Sequence, residues 1–197
     1  MSFKLGLTGY IGMGKSTTAQ LLADEGCAIW DADAAVHRLY SSGRKAVAPM
    51  QALFPQAIVD GAVSRDQLKQ IIQSDPAALK QIEAIVHPLV AEDRAEFIAT
   101  ADADILVFDV PLLFETGGNQ SMDAVLVVSA PEDVQRERVL ARGTMTEAQF
   151  LAIKAKQMPD AEKRKRADFV VITDTLENAR AQVQDILEQI RKGQTIA

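Results

Sequence analysis

Residues 5–17 read Leu5-Gly6-Leu7-Thr8-Gly9-Tyr10-Ile11-Gly12-Met13-Gly14-Lys15-Ser16-Thr17, and this stretch decides the fold. It contains the pattern G-x-x-x-x-G-K-[ST], which begins at Gly9 and ends at Ser16 and is typical of a phosphate-binding P-loop. Alternating apolar residues before the loop predict a buried strand, and the residues after Thr17 predict a helix. Loop amides and the positive end of the helix dipole attract phosphate. The stretch therefore predicts a nucleoside triphosphate site.

The residue types in this loop indicate separate roles. The glycines permit unusual dihedral angles and let the backbone approach phosphate oxygens closely. We expect Lys15 to reach the β- and γ-phosphates and to act in catalysis, and we expect the Ser16 hydroxyl to bind Mg²⁺. The other residues expected to contact ATP are Gly9, Ile11, Gly12, Met13, Gly14 and Thr17.

Composition limits the class of protein. The 197 residues, 48% hydrophobic and 24% charged, suit one globular domain over residues 1–197. The formal charge of −6 argues against a nucleic-acid partner. The single cysteine, Cys27, excludes an internal disulfide and is expected to fill the core. No apolar run approaches the about 20 residues that span a bilayer. We therefore expect a cytoplasmic protein without a membrane partner, and no sequence feature predicts its oligomeric state.

Five apolar runs are the predicted strands, with helical segments between them. They lie around Phe3–Leu7 and at residues 27–30, 105–109, 125–128 and 169–172. This alternation predicts an α/β protein of the P-loop NTPase fold, with a five-stranded parallel sheet and helices on both faces.

The stretch between the second and third predicted strands is helical, without an obvious strand. Ser64 and the pair Asp75-Pro76 are expected to begin helices, and Pro88 is expected to kink or divide a helix at His87. We expect a helical acceptor-binding insertion at residues 40–100. A small lid is expected at residues 142–166.

Two aspartates follow the second predicted strand. Asp31 and Asp33 point the same way in extended geometry, at the carboxyl end of a strand, where ligands of open parallel sheets bind. We interpret Asp33 as the base that takes the proton of an acceptor hydroxyl. Asp31 is its support or a link to the Mg²⁺ shell. The alternative is that the pair only caps the following helix.

Two acids belong to the next predicted strand and the segment after it. Asp109 ends an apolar run, the usual position of the carboxylate that contacts Mg²⁺ directly or through water, although the Val110-Pro111 that follows is less standard. Glu115 either contacts substrate or is an ordinary loop acid.

The basic residues separate into two groups. Arg142, at a helix end before Gly143, is suited to swing over the triphosphate and to stabilise charge on the transferring group. Arg136 and Arg138 are expected to be solvated helix residues, and residues 163–166 a solvated charged face.

The ordered motifs resemble those of the dephospho-CoA kinase family. The matching elements are Gly6–Gly9 with Ile11-Gly12 and Gly14–Thr17, Asp31-Ala32-Asp33 with His37, His87–Val90, Val110–Glu115, Arg142 with Thr146-Glu147, Gln157, and Ala167-Asp168. The resemblance implies ATP-dependent phosphorylation of the ribose 3′-hydroxyl of dephospho-CoA, giving coenzyme A and ADP, with Asp33 as the base. The substrate contacts that it implies are Asp31, His37, His87, Pro111, Leu112 and Glu115. For His87, a structural role beside Pro88 is the alternative.

The sequence departs from the family pattern at four positions. Tyr10 and Met13 replace the usual glycine and serine of the loop, both at variable positions. Lys154 stands where a lid arginine is usual, which keeps the charge but loses the bidentate fork. Thr173 replaces the usual asparagine after the fifth strand.

Two other classes of protein share a P-loop. A small-molecule or nucleotide kinase of the adenylate-kinase type would have the loop and a lid but not the Asp-Ala-Asp, His-Pro-Leu and Pro-Leu-Leu-Phe-Glu elements. A GTPase switch would carry Asn-Lys-x-Asp, which the sequence lacks. A kinase is therefore the expected activity, with dephospho-CoA as acceptor and ATP and Mg²⁺ as cofactors.

Overall fold

The computed structural model describes residues 2–193 apart from Arg142 and Thr144. The predicted catalytic residue Arg142 thus lies outside the described residues. The chain divides into two compact units, one formed by Met1–Ile29 with Asp102–Ala197 and the other by Trp30–Ala101. The insertion at residues 40–100 and the lid at residues 142–166 stay predictions.

The strands form one large and one small sheet. In chain order they are β1 (Phe3–Gly9), β2 (Ala28–Asp31), β3 (Ile58–Val59), β4 (Ala62–Val63), β5 (Ile105–Asp109), β6 (Ala124–Ser129) and β7 (Phe169–Ile172). The large sheet is parallel, with strand order β2-β5-β1-β6-β7. Leu7 of β1 pairs with Asp109 of β5, so the end of β5 lies beside the strand that leads into the P-loop. The predicted five-stranded parallel sheet is confirmed.

The α-helices lie between these strands. They are α1 (Lys15–Asp24), α2 (Ala32–Tyr40), α3 (Val47–Leu53), α4 (Arg65–Ser74), α5 (Ala78–Thr100), α6 (Glu132–Ala141), α7 (Glu147–Lys156), α8 (Asp160–Arg166) and α9 (Leu176–Arg191). None of the described helices is both long and apolar enough to cross a membrane.

Both faces of the large sheet are covered in the first unit. Every residue of β5 and β6 is buried, as expected for central parallel strands. Leu126 and Val128 pack in one cluster with residues of α1 and α9, whereas Val125 and Val127 pack with Leu113 and its neighbours. Successive side chains of a strand point to opposite faces, so the two clusters lie on the two sides of the sheet. The predicted layered α/β fold is confirmed.

The second unit has a core of its own and a hairpin that the sequence analysis missed. Strands β3 and β4 pair antiparallel through Asp60 and Gly61, whose φ angles are 51° and 75°. Positive φ at both central residues is typical of a type I′ turn, for which Asp-Gly is a strong sequence signal. The expectation of an all-helical stretch is therefore wrong at this hairpin.

Pro88 does not divide the helix that contains it, contrary to one of the predicted outcomes. Helix α5 runs from Ala78 to Thr100 with Pro88 inside it. Pro88 is exposed, so water can satisfy the backbone carbonyl that its missing N–H leaves without a partner. Ile82 and Val86 of the same helix are buried in the core of this unit. A proline inside a helix costs about 3 kcal/mol, and the packing of these two residues offsets that cost.

Two element boundaries also differ from the prediction. Strand β2 covers Ala28–Asp31, so Cys27 precedes it and Asp31 ends it. Helix α5 begins at Ala78, after a turn in which the Asp75 carboxylate accepts a hydrogen bond from the Ala77 amide at 3.0 Å. Asp75 therefore caps this turn and is not the N-cap of the helix. The other predicted helix start is confirmed, since the Ser64 hydroxyl accepts from the Gln67 amide at the start of α4.

Candidate functional site: a P-loop at the end of β1

The P-loop joins the end of β1 to the start of α1, as predicted. Two of its glycines have positive φ, 77° at Gly12 and 90° at Gly14, the N-cap of α1. A Cβ at Gly14 would lie 2.9 Å from the Thr173 hydroxyl oxygen, and a Cβ at Gly12 would overlap Val139. Both positions therefore require glycine on conformational and steric grounds.

The first turn of α1 provides donors for an anion. Gly14, the N-cap, has no side chain that could cap the helix. The intrahelical hydrogen bonds begin with the Thr18 amide, which donates to the Gly14 carbonyl at 3.0 Å. The amides before it in a helix have no intrahelical acceptor. Ser16 and Thr17 are exposed at this turn. The arrangement can bind phosphate oxygens through backbone amides and the helix dipole.

Lys15 and Asp109 form an ion pair at the loop. The Lys15 ammonium donates to the Asp109 carboxylate, and their side chains are 20% and 4% exposed. Asp109 ends β5, so the parallel pairing of β1 and β5 brings these two residues together. The structure thus places the predicted phosphate-binding lysine and the predicted metal-side carboxylate in one site.

The two unusual loop residues face the protein interior. Tyr10 and Met13 are 7% and 4% exposed and pack with Ala130. The Tyr10 hydroxyl donates to the Lys154 carbonyl at 2.7 Å, and burial raises the pKa of that hydroxyl. The Ile11 amide donates to Gln157 Oε1 at 3.0 Å. These contacts hold the loop against the rest of the first unit.

A cavity of about 420 Å³ lies beside the loop. It is lined by Gly14, Thr17, Arg138, Ala141, Thr173, Thr175, Leu176 and Ala179. The buried Thr173 hydroxyl donates to the Met13 carbonyl at 2.7 Å and accepts from Arg138 Nη1 at 3.0 Å. The expectation of a solvated Arg138 is therefore wrong, because the guanidinium clamps Thr173 against the loop. Thr173 keeps a bond to the loop despite departing from the family pattern.

The segment after β5 contains three predicted substrate residues. Pro111 is half-buried, and Leu112 is 42% exposed. Glu115 has internal partners, since it accepts from the Met158 amide at 2.8 Å and pairs with Lys163 at 3.1 Å. Burial alone would raise the pKa of Glu115, but the hydrogen bonds from Met158 and Lys163 hold it below its usual value.

The prediction of a solvated charged face over residues 163–166 is wrong at Lys163. Its side chain is fully buried, whereas Lys165 of the same helix is 72% exposed. Burial lowers the pKa of Lys163, and Glu115 opposes that shift. No signal in the sequence separates Lys163 from its basic neighbours, because its acceptors lie far away along the chain.

The described part of the predicted lid contains the start of α7. Thr146 and Gln149 form a reciprocal capping box at the beginning of α7. Glu147 pairs with Arg136 through two nitrogens of the guanidinium, and Lys154 pairs with Glu132. The Arg136 side chain is 58% exposed, as predicted for a solvated helix residue. It also has a carboxylate partner in Glu147.

Four predicted site residues belong to the second unit or its border. The Asp31 carboxylate accepts from the Ala34 amide at 2.8 Å and is the N-cap of α2, while its predicted role in the site stays a prediction. Asp33 lies in the first turn of α2 with its side chain exposed, and its carbonyl accepts from Arg65 at 3.2 Å. His37 of α2 and His87 of α5 are also exposed.

The donors near the loop fit a magnesium ion that is shared with a nucleotide. Ser16 and Asp109 offer oxygen atoms, the ligand type that Mg²⁺ prefers. Within residues 2–193, Arg142 and Thr144 excepted, no cluster of three or more acids, histidines or cysteines could hold a metal. Such a donor set suits Mg²⁺, which usually keeps waters and takes phosphate oxygens as ligands.

Comparison with known proteins decides among the P-loop classes. The family model described as dephospho-CoA kinase matches residues 3–179. The chain belongs to the dephospho-CoA kinase family. The dephospho-CoA kinase of Ruegeria pomeroyi is 72% identical over 193 residues, 98% of each chain. That of Cereibacter sphaeroides is 58% identical over 190 residues, 96% of each chain. The predicted family, and with it a kinase of the transferase class, is confirmed.

Solved structures share the fold of this chain. The protein TT1252 from Thermus thermophilus has a TM-score of 0.85 and 34% identity, covering 99% of each chain. The dephospho-CoA kinase from Campylobacter jejuni has a TM-score of 0.71 at 22% identity, covering 98% of this chain and 99% of its own. A shikimate kinase from Acinetobacter baumannii, with a TM-score of 0.56 and 17% identity, covers 100% of this chain and 97% of its own. The last two likenesses support the P-loop kinase fold alone.

Proposed function

We propose that this protein transfers the γ-phosphoryl group of ATP to the ribose 3′-hydroxyl of dephospho-CoA, giving coenzyme A and ADP. The observation that carries the proposal is the P-loop, with Lys15 beside Asp109 at the start of α1, in a chain of the dephospho-CoA kinase family. The net charge of −6 supports a small-molecule acceptor over a nucleic acid. A cytoplasmic location stays a prediction.

The triphosphate of ATP would lie on the loop backbone. The amides from Gly12 to Thr17 would donate to its oxygens, and the Lys15 ammonium would move from Asp109 to the β- and γ-phosphates. Stabilisation of the charge on the transferring group is the main contribution that a kinase makes. The cavity beside Gly14 and Thr17 would take the nucleoside, with Arg138 at its wall.

Ser16 and Asp109 are the residues that would hold Mg²⁺. The Ser16 hydroxyl is exposed at the first turn of α1, and the Asp109 carboxylate lies at the carboxyl end of β5. When bound, the ion neutralises part of the charge on the phosphates. When Lys15 moves to the phosphates, the ion or one of its waters would take its place beside the Asp109 carboxylate.

Asp33 would act as the base. Its side chain is exposed at the start of α2, so it can approach an acceptor hydroxyl, orient it and take its proton. Asp31 supports it by capping the turn that contains Asp33. His37 and His87, both exposed, would contact the acceptor. Arg142 would stabilise the transferring group from the lid.

The segment after β5 would contribute apolar contacts to the acceptor. Leu112 is exposed beside the half-buried Pro111, and both suit the apolar parts of a large substrate. Glu115 has its carboxylate bound to Lys163 and to the Met158 amide. We therefore assign Glu115 to positioning of this segment, in place of direct substrate contact.

The experiment is an acceptor panel with purified protein and Mg-ATP. ADP release should depend on dephospho-CoA and should be at background with adenosine, AMP or pantetheine phosphate. Faster turnover with AMP or adenosine would favour a nucleotide kinase of the adenylate-kinase type. ADP release without any acceptor would favour an NTPase instead.

A further inference from the structure

We propose that Lys163 is a positioning residue for phosphoryl transfer, whose buried ammonium holds the segment after Asp109 against the strand that leads into the P-loop. The proposal rests on the kinase function proposed above. It concerns a buried residue in an otherwise exposed basic run of α8.

The ammonium of Lys163 has three acceptors, one for each of its protons. It donates to the Pro111 carbonyl at 3.1 Å, to the Thr8 hydroxyl at 3.5 Å and to Glu115 Oε2 at 3.3 Å. Its side chain is fully buried. A buried charge costs free energy unless its hydrogen bonds are satisfied, and here all three donors have an acceptor. The planar fork of an arginine would not match this arrangement.

These acceptors belong to two segments that define the phosphate site. Thr8 is the residue before Gly9, where the P-loop begins, and its hydroxyl also donates to the Pro111 carbonyl at 3.0 Å. Pro111 lies two residues after Asp109, the partner of Lys15. A shift of the Pro111 carbonyl would therefore move Asp109 relative to Lys15.

The third acceptor links the same ammonium to the chain between α7 and α8. Glu115 accepts from the Met158 amide at 2.8 Å while it pairs with Lys163. Lys163 thus joins the end of β1, the segment at residues 110–116 and the residues that follow α7. An apolar side chain could fill this space but could not fix the directions of three oxygen acceptors.

Lys163→Met tests the proposal, with Lys165→Met as the matched control. Lys165 lies on the same helix, is 72% exposed and pairs with nearby Glu162. We expect Lys163→Met to lower kcat about 100-fold, since a misplacement of about 1 Å at a reacting centre has effects of that size. The KM for ATP should stay within about threefold of wild type, because the loop amides are unchanged.

A second readout is hydrogen exchange, which does not depend on the acceptor. Lys163→Met should speed amide exchange in residues 112–116 and leave exchange in α9 unchanged, whereas Lys165→Met should change neither. Lys163→Arg, which keeps the charge, should fold and still lose most of the kcat. Val183→Ala, a core change in α9 that lowers Tm without touching the clamp, should keep its kcat.

The outcomes separate this proposal from the function on which it rests. If wild type does not phosphorylate dephospho-CoA, the proposed function fails, and the exchange comparison still tests the clamp. Equal kcat for the two methionine variants, or an equal kcat loss in Val183→Ala, would overturn the positioning role. If Lys163→Met does not fold, Lys163→Arg decides: wild-type kcat in that variant contradicts the proposal.

Discussion

The ammonium of Lys15 lies against the carboxylate of Asp109, two residues from different strand ends that the parallel pairing of β1 and β5 brings together. The Asp109 side chain is 4% exposed, so its charge is largely removed from water, and the Lys15 ammonium helps to stabilise it. The residue expected to bind the phosphates is thus also the residue that stabilises this carboxylate in the described structure.

Lys15→Met should destabilise the protein as well as abolish phosphoryl transfer. Lys15→Met removes the charged hydrogen bond that the ammonium gives to a largely buried carboxylate, so we expect the free energy of unfolding to fall by about 1.5–3 kcal/mol. Lys192→Met, the control, breaks an exposed pair with Glu188. It should change the free energy of unfolding by less than about 0.5 kcal/mol. Urea denaturation measures the free energy of unfolding of both variants. Equally small losses in Lys15→Met and Lys192→Met would contradict a stabilising role for the pair of Lys15 and Asp109.

Thr173→Val should weaken ATP binding. The valine removes the donor to the Met13 carbonyl and the acceptor of Arg138 at a buried position, a loss of about 1–3 kcal/mol in stability. Because both groups adjoin the loop and its cavity, the dissociation constant for ATP should rise about tenfold. Calorimetric titration measures it. Thr100→Val, which removes an exposed bond within α5, should leave ATP affinity unchanged, and equal ATP affinity in the two variants would exclude the role of Thr173.

Glu115 should make stability depend on pH in the acid range. Its pKa is held below the ordinary value of 4.5, so the folded state binds this proton less readily than the unfolded state. The ionised Glu115 carboxylate therefore contributes to the free energy of unfolding above pH 4.5. This contribution is lost as the pH falls through the lowered pKa. Thermal unfolding between pH 3 and 6 should show a smaller acid loss in Glu115→Gln than in wild type. Glu92→Gln, which alters an exposed glutamate, should keep the wild-type loss.

Local patterns were sufficient for the framework of the fold and of the site. The P-loop, the five strands and the helix starts at Ser64 and Thr146 follow from spacing and capping residues that act within a few positions. The hairpin at Asp60-Gly61 carried a usable turn signal, but its two-residue strands are too short for alternation to appear.

The contacts of Lys163 and Arg138 could not be predicted in the same way. Lys163 meets Thr8 across 155 positions, and Arg138 meets Thr173 across 35. In the sequence both are basic residues among other charged residues, and such residues are usually solvated. Only the packing of α8 and α6 against the strand ends brings these two cations to their acceptors.

Asp33→Asn should separate catalysis from stability. The side chain is exposed, so the free energy of unfolding should change by less than about 0.5 kcal/mol. Loss of a base that also orients the acceptor should lower kcat by about 10²–10⁴-fold, with ATP affinity retained. Asp66→Asn is the matched control, since Asp66 is an exposed acid in the first turn of α4. Near-normal turnover of Asp33→Asn would remove Asp33 from the mechanism.

The most direct test of the proposed function is the identity of the product made from dephospho-CoA and Mg-ATP. Phosphorus NMR with mass spectrometry should show one new phosphomonoester, coupled to the ribose H3′, for each ADP formed. A phosphate on the 2′-hydroxyl or on the pantetheine part, or ADP without a phosphorylated acceptor, would contradict the account.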